Sequence, residues 1–355
     1  MMKMKKNFWI FMAASLFAGF AFSSCSDSDN DDDSNTYKGA AKAYILNEGG
    51  YQSNNASISL YSPDTKGNAT DLFKKVNGRY LGDTGQDFIR SGYSLYVSVY
   101  GSGYVARLDT TGLVMNTANI TSPRYLAVQG DYLYVSAYAS PKGYVYKLNA
   151  STLQKVDSVT VGMNPEHVAI YDNRLVVANS GWGADSTLSV INLSTFKVDK
   201  TVVVSKNPDK VAVCGGSVFV ISNNDYVNLK LEEVSMSDYK VTYIGNAVMM
   251  APYNDKLYLA NSVTNWSTHV TANSFYVYDP SNATLGTISF LRDEPAKLLS
   301  TGISMFEINP VNGDIYLGTS DYASNGDVYR FSWDGKLLDT FDAGGITPNN
   351  AVFLP

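Results

Sequence analysis

The chain is 355 residues long, with 17% charged residues, 26 tyrosines, 28 glycines and a formal net charge of −6. Low charge of negative sign excludes nucleic acid as a partner, because phosphate binding needs a basic stripe and none runs through the sequence. Abundant Tyr, Asn and Ser suit a surface that holds a neutral ligand rich in amides or hydroxyls by stacking and hydrogen bonding.

Residues 1–24 read as a lipoprotein signal peptide. Lys3, Lys5 and Lys6 form its charged start, and Phe8 to Phe22 is an apolar run too short and badly flanked to span as a mature helix. It closes on Phe22-Ser23-Ser24-Cys25, which resembles a relaxed bacterial lipobox and makes Cys25 the expected lipidation site. An ordinary secretory peptide with an incidental cysteine is the competing reading. Losing the signal removes three lysines and moves the charge to about −9. Residues 25–40 are expected to be an acidic, disordered tether, with Ser26-Asp27-Ser28-Asp29-Asn30-Asp31-Asp32-Asp33 directly behind the cysteine. Such a run resembles the export signal that sends lipoproteins to the outer face of Gram-negative gut bacteria, which implies an outer-membrane protein facing outwards. No other stretch is long and apolar enough to cross a membrane, so the lipid is the only expected membrane contact.

Residues 41–355 repeat one phrase, a Pro-led strand followed by an aliphatic-aromatic-aliphatic triplet. Three copies align without gaps: Pro123 with Leu133-Tyr134-Val135, Pro165 with Leu175-Val176-Val177, and Pro208 with Val218-Phe219-Val220. Successive prolines are 42 and 43 residues apart. A period of roughly 40 to 45 residues made only of strand signals marks the blades of a propeller. Triplets begin at Tyr44, Leu95, Leu133, Leu175, Val218, Leu257 and Ile315, one for each of seven blades. Alternating strands follow, as in Tyr104 to Asp109 and Phe275 to Asp279, and period-2 alternation with Asn/Asp turns predicts four strands per blade. The Asn-Gly pairs at 77–78, 312–313 and 325–326 read as turns. Little helix is expected, beyond a turn near Glu294 to Leu299.

The two ends explain each other. The first blade opens directly on Tyr44-Ile45-Leu46 without a Pro-led strand, whereas residues 346–355 are a Pro-led strand with nothing after it. Placing the C-terminal strand innermost in the first blade closes the ring and removes two sheet edges. The expected fold is therefore an all-β, seven-bladed propeller of four-stranded blades, closed by its C-terminal strand; a sandwich or open solenoid needs no such complementation.

The segments Leu95-Tyr96-Val97-Ser98-Val99-Tyr100, Leu133 to Tyr138, Leu175 to Ser180 and Leu257 to Ser262 resemble the repeat of the YVTN/YncE-like seven-bladed propellers. The opening Tyr44 to Gly49, with Asn55 to Tyr61, is similar to the surface-lipoprotein branch of that group. That branch includes the BtuG-type proteins, which capture cobalamin outside the cell and pass it to a TonB-dependent outer-membrane transporter. The resemblance covers nearly all of the mature chain; its motif is specific for fold and weak for ligand. It implies cobalamin (vitamin B12) or a related corrinoid as ligand rather than cofactor, and a transporter as partner.

In a propeller, the loops after the second strands and those leading into the first strands share one face. The former carry Tyr51, Tyr100, Tyr138, Trp182, Tyr226, Trp266 and Tyr322, one aromatic per blade. The latter bring Gln86, Asp87, Arg124, Glu166, His167, Asp209, Lys210, Asn349 and Asn350. Aromatics interleaved with amides suit a large flat ligand with peripheral amides and one phosphate, which Arg124 would pair. Each aromatic also has a plain reading as blade packing. The stretch 261–274 reads as an unusually long loop carrying Trp266 and His269, and long loops in compact domains are usually functional or mobile.

No metal site is expected, because His167 and His269, the only histidines, lie in different blades without neighbouring ligand spacing. His167 has one further reading, as a ligand to the cobalt of cobalamin, beside the plain one of a hydrogen-bonded histidine. Cys214 reads as a small buried hydrophobe. No Ser-His-Asp order, glycine-rich phosphate loop or acid pair supports catalysis, so a non-enzyme is expected. Two alternatives stay open: a glycan-binding or glycan-processing propeller, and a non-catalytic envelope scaffold for protein contacts.

Overall fold

The computed structural model describes residues 41–224, 229–265, 267, 268 and 270–354. The signal peptide, Cys25 and the acidic tether lie outside the described residues, as do Tyr226, Trp266 and His269.

Seven four-stranded antiparallel sheets form, one for each predicted triplet. Blade 1 runs Pro348–Leu354, Lys42–Asn47, Ser57–Tyr61, Thr70–Asp71 from the axis outwards, and blade 2 runs Gly85–Ser91, Ser94–Val99, Tyr104–Leu108, Val114–Asn119. Blade 3 is Pro123–Gln129, Tyr132–Tyr138, Gly143–Asn149, Lys155–Val161, and blade 4 is Pro165–Tyr171, Arg174–Asn179, Thr187–Asn192, Lys197–Val203. Blade 5 is Pro208–Cys214, Ser217–Ser222, Lys230–Val234, Val241–Asn246; blade 6 is Met249–Tyr253, Lys256–Asn265, Val270–Asp279, Thr284–Leu285; blade 7 is Ile303–Ile308, Ile315–Thr319, Asn325–Phe331, Leu337–Ile346. The innermost strands neighbour one another in sequence around the axis, and Pro348–Leu354 joins blade 7 to blade 2.

The triplets are apolar on consecutive positions because both faces of every blade are covered, as in any sheet sandwiched between layers. In blade 2, Leu95, Val97 and Val99 pack against Tyr44, Leu46 and Ile58 of blade 1, while Tyr96 turns to Leu126, Leu133 and Val135 of blade 3. The same division recurs at each boundary, so the protein has one small core per blade interface rather than a single large one. Cys214 belongs to the core between blades 5 and 6, and burial pushes its thiol up to about 11, the state of an inert packing residue.

Closure follows the expected pattern: Lys42 pairs with Leu354, Tyr44 with Val352 and Leu46 with Asn350. Three details differ from expectation. Residues 261–265 and 270–274 are strand rather than loop; the middle strands of blade 6 extend as a hairpin, with Asn261 opposite Ser274 and Asn265 opposite Val270. Thr and Val on both arms, with Thr264 and Thr271 hydrogen-bonded across at 2.9 Å, explain why pairing continues. Asn77-Gly78 closes a helix, Leu72–Asn77, started by the Asp71 carboxylate on the Lys74 amide and ended by Gly78 at φ 67°. Asn325-Gly326 opens a strand instead of a turn. The expected helical turn near 294–299 is present as Ala296–Ser300.

Candidate functional site

Six of the seven innermost strands begin irregularly. The pairing register shifts between Gly85 and Asp87, Pro123 and Leu126, Pro165 and Val168, Pro208 and Lys210, Ile303 and Met305, and opposite Pro348 and Asn350. Blade 6 has no such shift. In five blades the residue before the strand is left-handed: Thr84, Ser122, Asn164, Asn207 and Thr347 have φ between 44° and 60°. A bulge breaks the in-and-out alternation, so neighbouring side chains both reach the channel mouth. The residues expected in loops leading into these strands therefore sit in the strands' own first turns.

Serines of the repeat lock these bulges to the neighbouring blade. Ser136 Oγ donates to the Glu166 carbonyl at 2.8 Å, and Ser98 makes the corresponding bond to the Arg124 carbonyl. The Ser in Leu-Tyr-Val-Ser is thus a clamp between blades.

The bulged residues form a polar belt across blades 1 to 5. Arg124 donates from Nε and Nη2 to Glu166 Oε2, at 2.9 and 2.7 Å, and from Nη1 to Gln86. Burial opposes the Arg124 charge, but Glu166 outweighs it and holds the guanidinium ionised. The sequence expectation that Arg124 pairs with a ligand phosphate does not fit this arrangement, because its donors are directed at Glu166 and Gln86 inside the protein. His167 stacks on Tyr125 with ring centroids 3.4 Å apart, and its Nδ1 lies 3.1 Å from the Asp209 carbonyl. Burial lowers His167 to about 4, so it is neutral at pH 7. Asp209, paired with Lys210 at 3.1 Å, is raised by burial but pulled well below its usual range by Lys210 and His167. Asp87 accepts from Leu126 N–H at 2.8 Å and Asn350 Nδ2 at 3.0 Å; burial outweighs these bonds and lifts it to about 6. Asn349 Nδ2 donates to the Gly85 carbonyl at 2.9 Å.

Above this belt three of the expected aromatics come together. Tyr100 and Tyr138 meet edge to face at 5.8 Å, and Tyr138 and Trp182 at 5.5 Å. The Arg124 guanidinium lies 5.0 Å from the Tyr100 ring and 4.8 Å from that of Tyr138. Trp182 Nε1 donates to Tyr138 OH at 3.3 Å, and Tyr138 OH donates to Glu166. Trp182 is nonetheless 66% exposed. Tyr51 and Tyr322 stand apart from this arc, 71% and 78% exposed. Trp182 and Tyr322 share a local device: each follows two residues after a serine whose Oγ accepts its N–H, Ser180 at 3.3 Å and Ser320 at 2.9 Å. Both have left-handed backbones, φ 49° and 63°, a conformation that costs a bulky residue energy and fixes the direction of its ring.

A cavity of about 260 Å³ opens at the centre of this face, lined among others by Gln86, His167, Lys210, Tyr322, Asn349 and Asn350. Sequence reasoning missed its other wall, Met249, Met250, Ile303 and Phe306, and two acids, Glu48 and Glu307. Burial, with Asp87 adding to it, pushes Glu307 up to about 8, and burial also raises Glu48. The signal was present for Glu307, a lone charge in the apolar strand Ile303–Ile308. Among the described residues no group of three His, Cys, Asp or Glu side chains is placed to hold a metal.

No protein-family model and no curated protein matches the chain. Solved structures do. A quinonprotein alcohol dehydrogenase-like protein from Bacteroides thetaiotaomicron superposes with a TM-score of 0.63 at 16% identity, over 89% of this chain and 78% of that one. A protein from Lactobacillus plantarum gives 0.62 at 15% identity, over 89% and 100%. A putative 6-phosphogluconolactonase from Bacteroides fragilis gives 0.60 at 15% identity, over 91% and 100%. At such identities the likeness is one of architecture, and these neighbours agree with the sheet topology that this chain is a seven-bladed β-propeller.

Proposed function

We propose that this protein is a lipid-anchored capture propeller of the outer membrane, which binds a corrinoid of the cobalamin class on the Tyr100–Tyr138–Trp182 face and hands it to a TonB-dependent transporter. Its role on this reading is binding rather than catalysis. The observation that carries it is the aromatic arc, exposed at Trp182 and backed by the Arg124–Glu166 pair. Enclosed small-molecule pockets run from about 300 to 1,000 Å³, so the 260 Å³ cavity does not engulf a corrinoid. A ligand of that size lies across the mouth, its flat plate against the rings and its amides towards Gln86 and the Asn349–Asn350 pair.

Glycan binding is the second reading, favoured by Tyr51 and Tyr322, which stand singly and exposed as platforms for a sugar ring. Isothermal titration of the full chain in detergent, with cyanocobalamin and with a panel of host and plant glycans, separates the two. One-to-one corrinoid binding is expected, weakened in Trp182→Ala by about 1–3 kcal/mol, the range for losing one buried stacking contact. Heat with glycans alone would transfer the site to the second reading, and heat with neither would sink both.

A further inference from the structure

Below the ligand face the channel has a charge imbalance. Each basic group at its upper mouth is matched: Lys210 by Asp209 at 3.1 Å and Arg124 by Glu166 at 2.7 Å. His167 is uncharged at pH 7. Glu48, Asp87 and Glu307 remain. Asp87 is hydrogen-bonded, whereas Glu48 and Glu307 make no side-chain hydrogen bond or ion pair among the described residues. Glu307 lines both the 260 Å³ upper cavity and a second pocket of about 400 Å³ with Arg90, Pro310 and Phe353, so it stands at the waist of an axial channel. Arg90 does not relieve it, because its donors go to the carbonyls of Gly92 at 2.9 Å and Phe353 at 2.6 Å.

We propose that this channel is a second binding site, independent of the corrinoid reading, for a small organic cation: a primary ammonium with a short apolar chain, its charge received by the Glu307 carboxylate. The walls select that chemistry. A buried carboxylate without a partner is costly in its charged form and is stabilised by an incoming cation. Among the described residues no metal-ligating group of three surrounds it. Met249, Met250, Ile303 and Phe306 line one side of the cavity, which suits methylene groups, while Asn350, whose Nδ2 is engaged by Asp87, keeps its amide oxygen for an ammonium N–H. At about 30 Å³ per water, 260 Å³ is room for a handful of heavy atoms.

Without a ligand, Glu307 holds its proton up to about pH 8, through burial first and Asp87 second. The ammonium must displace that proton, so affinity rises with pH until Glu307 ionises unaided, while Glu48 and Asp87, in no ion pair among the described residues, keep the mouth acidic.

The test is calorimetric titration of the full chain in detergent with n-butylammonium at pH 6.5 and 8.5, with n-butanol and calcium chloride as comparison ligands. One-to-one binding is expected for the amine, ~25-fold tighter at pH 8.5 than at pH 6.5, from one displaced proton on a group that titrates near 8. Butanol should not bind measurably. Glu307→Gln, close in size to the protonated acid, should bind at least ~10-fold more weakly at pH 8.5 and lose the pH dependence. A thermal melt of Glu307→Gln at pH 5, where the folded parent holds the Glu307 proton and little of its contribution to stability is lost, should match the parent and shows the fold intact. Equal amine affinity in Glu307→Gln, equal binding of butanol, or displacement of the amine by calcium would each overturn the assignment. Since cyanocobalamin is absent, failure here leaves the corrinoid reading where it stood.

Discussion

The two sides of the central ring hold together by different means. Across blades 1 to 5 the innermost strands start with bulges, and adjacent blades meet through Asp87–Asn350, Arg124–Glu166 and the Tyr125–His167–Asp209–Lys210 chain. Across blades 6 and 7 the channel wall is Met249, Met250, Ile303 and Phe306, backed by Phe290 stacked 5.9 Å from Phe306 and edge-on to Phe275 at 5.8 Å. The Pro-led phrase explains the contrast. Where Pro, or Gly85 in blade 2, opens the strand, two charged or polar residues follow at the bulge; blades 6 and 7 have Val248-Met249-Met250 and Gly302-Ile303-Ser304 instead. Polar neighbours confer direction on the site, whereas the apolar side confers cohesion without it.

The C-terminal strand belongs to both sides, since Asn349 and Asn350 extend the polar belt and Phe353 packs against Tyr316 at 4.9 Å. Deleting residues 346–355 opens two sheet edges and is expected to abolish the cooperative thermal transition seen by circular dichroism; a truncated chain with the parent's Tm would refute the closure. Phe306→Ala should cost about 3–5 kcal/mol in denaturant unfolding, the scale of a truncated core aromatic. On the polar side, Arg124→Met leaves Glu166 buried and uncompensated at a similar cost of about 3–5 kcal/mol. The double variant with Glu166→Leu should regain most of that loss, a rescue unavailable to Phe306→Ala. If no rescue is seen, the pair is not what couples blades 3 and 4.

Acidity separates the two sides further. Glu307 in the folded protein titrates near 8, above its ordinary carboxyl range, so between about pH 5 and 8 the native state keeps a proton that the unfolded chain has released. Its contribution therefore falls as pH rises, by at most about 1.4 kcal/mol per pH unit. Asp87 acts the same way up to about 6. His167, lowered to about 4, acts oppositely and costs stability as pH falls below its ordinary value. Glu307→Gln should match the parent at pH 5 and exceed it at pH 8. A constant difference across that window would show that Glu307 does not titrate there. The smallest effect is expected at Trp182→Ala, within about 0.5 kcal/mol for stability, because the ring is exposed and its left-handed backbone is relieved little.

Much of the architecture was legible before any coordinates. Seven triplets name seven second strands, and the unpaired first triplet with the orphan strand at 346–355 names the closure, because buried strands and turns leave local signatures. The site was legible in its members and not in its pairings. Tyr100, Tyr138, Trp182 and Arg124 were all nominated, yet Arg124 meets Glu166 and Gln86 rather than offering itself to a phosphate. The hairpin arms at 261–265 and 270–274 look like loop in sequence because Asn261, Ser262, Asn265, Asn273 and Ser274 dilute the strand-forming Val and Thr between them.

By itself, then, the sequence determined the number of blades, the order of strands within them and the residue types gathered at one face, since each depends on patterns spanning fewer than about 50 residues. Only the tertiary structure decided which charges neutralise one another and which are left over. Asp87 and Glu307 lie 220 positions apart in the chain. Ring closure alone brings them within reach of each other's charge, and the low dielectric of the channel makes that proximity count.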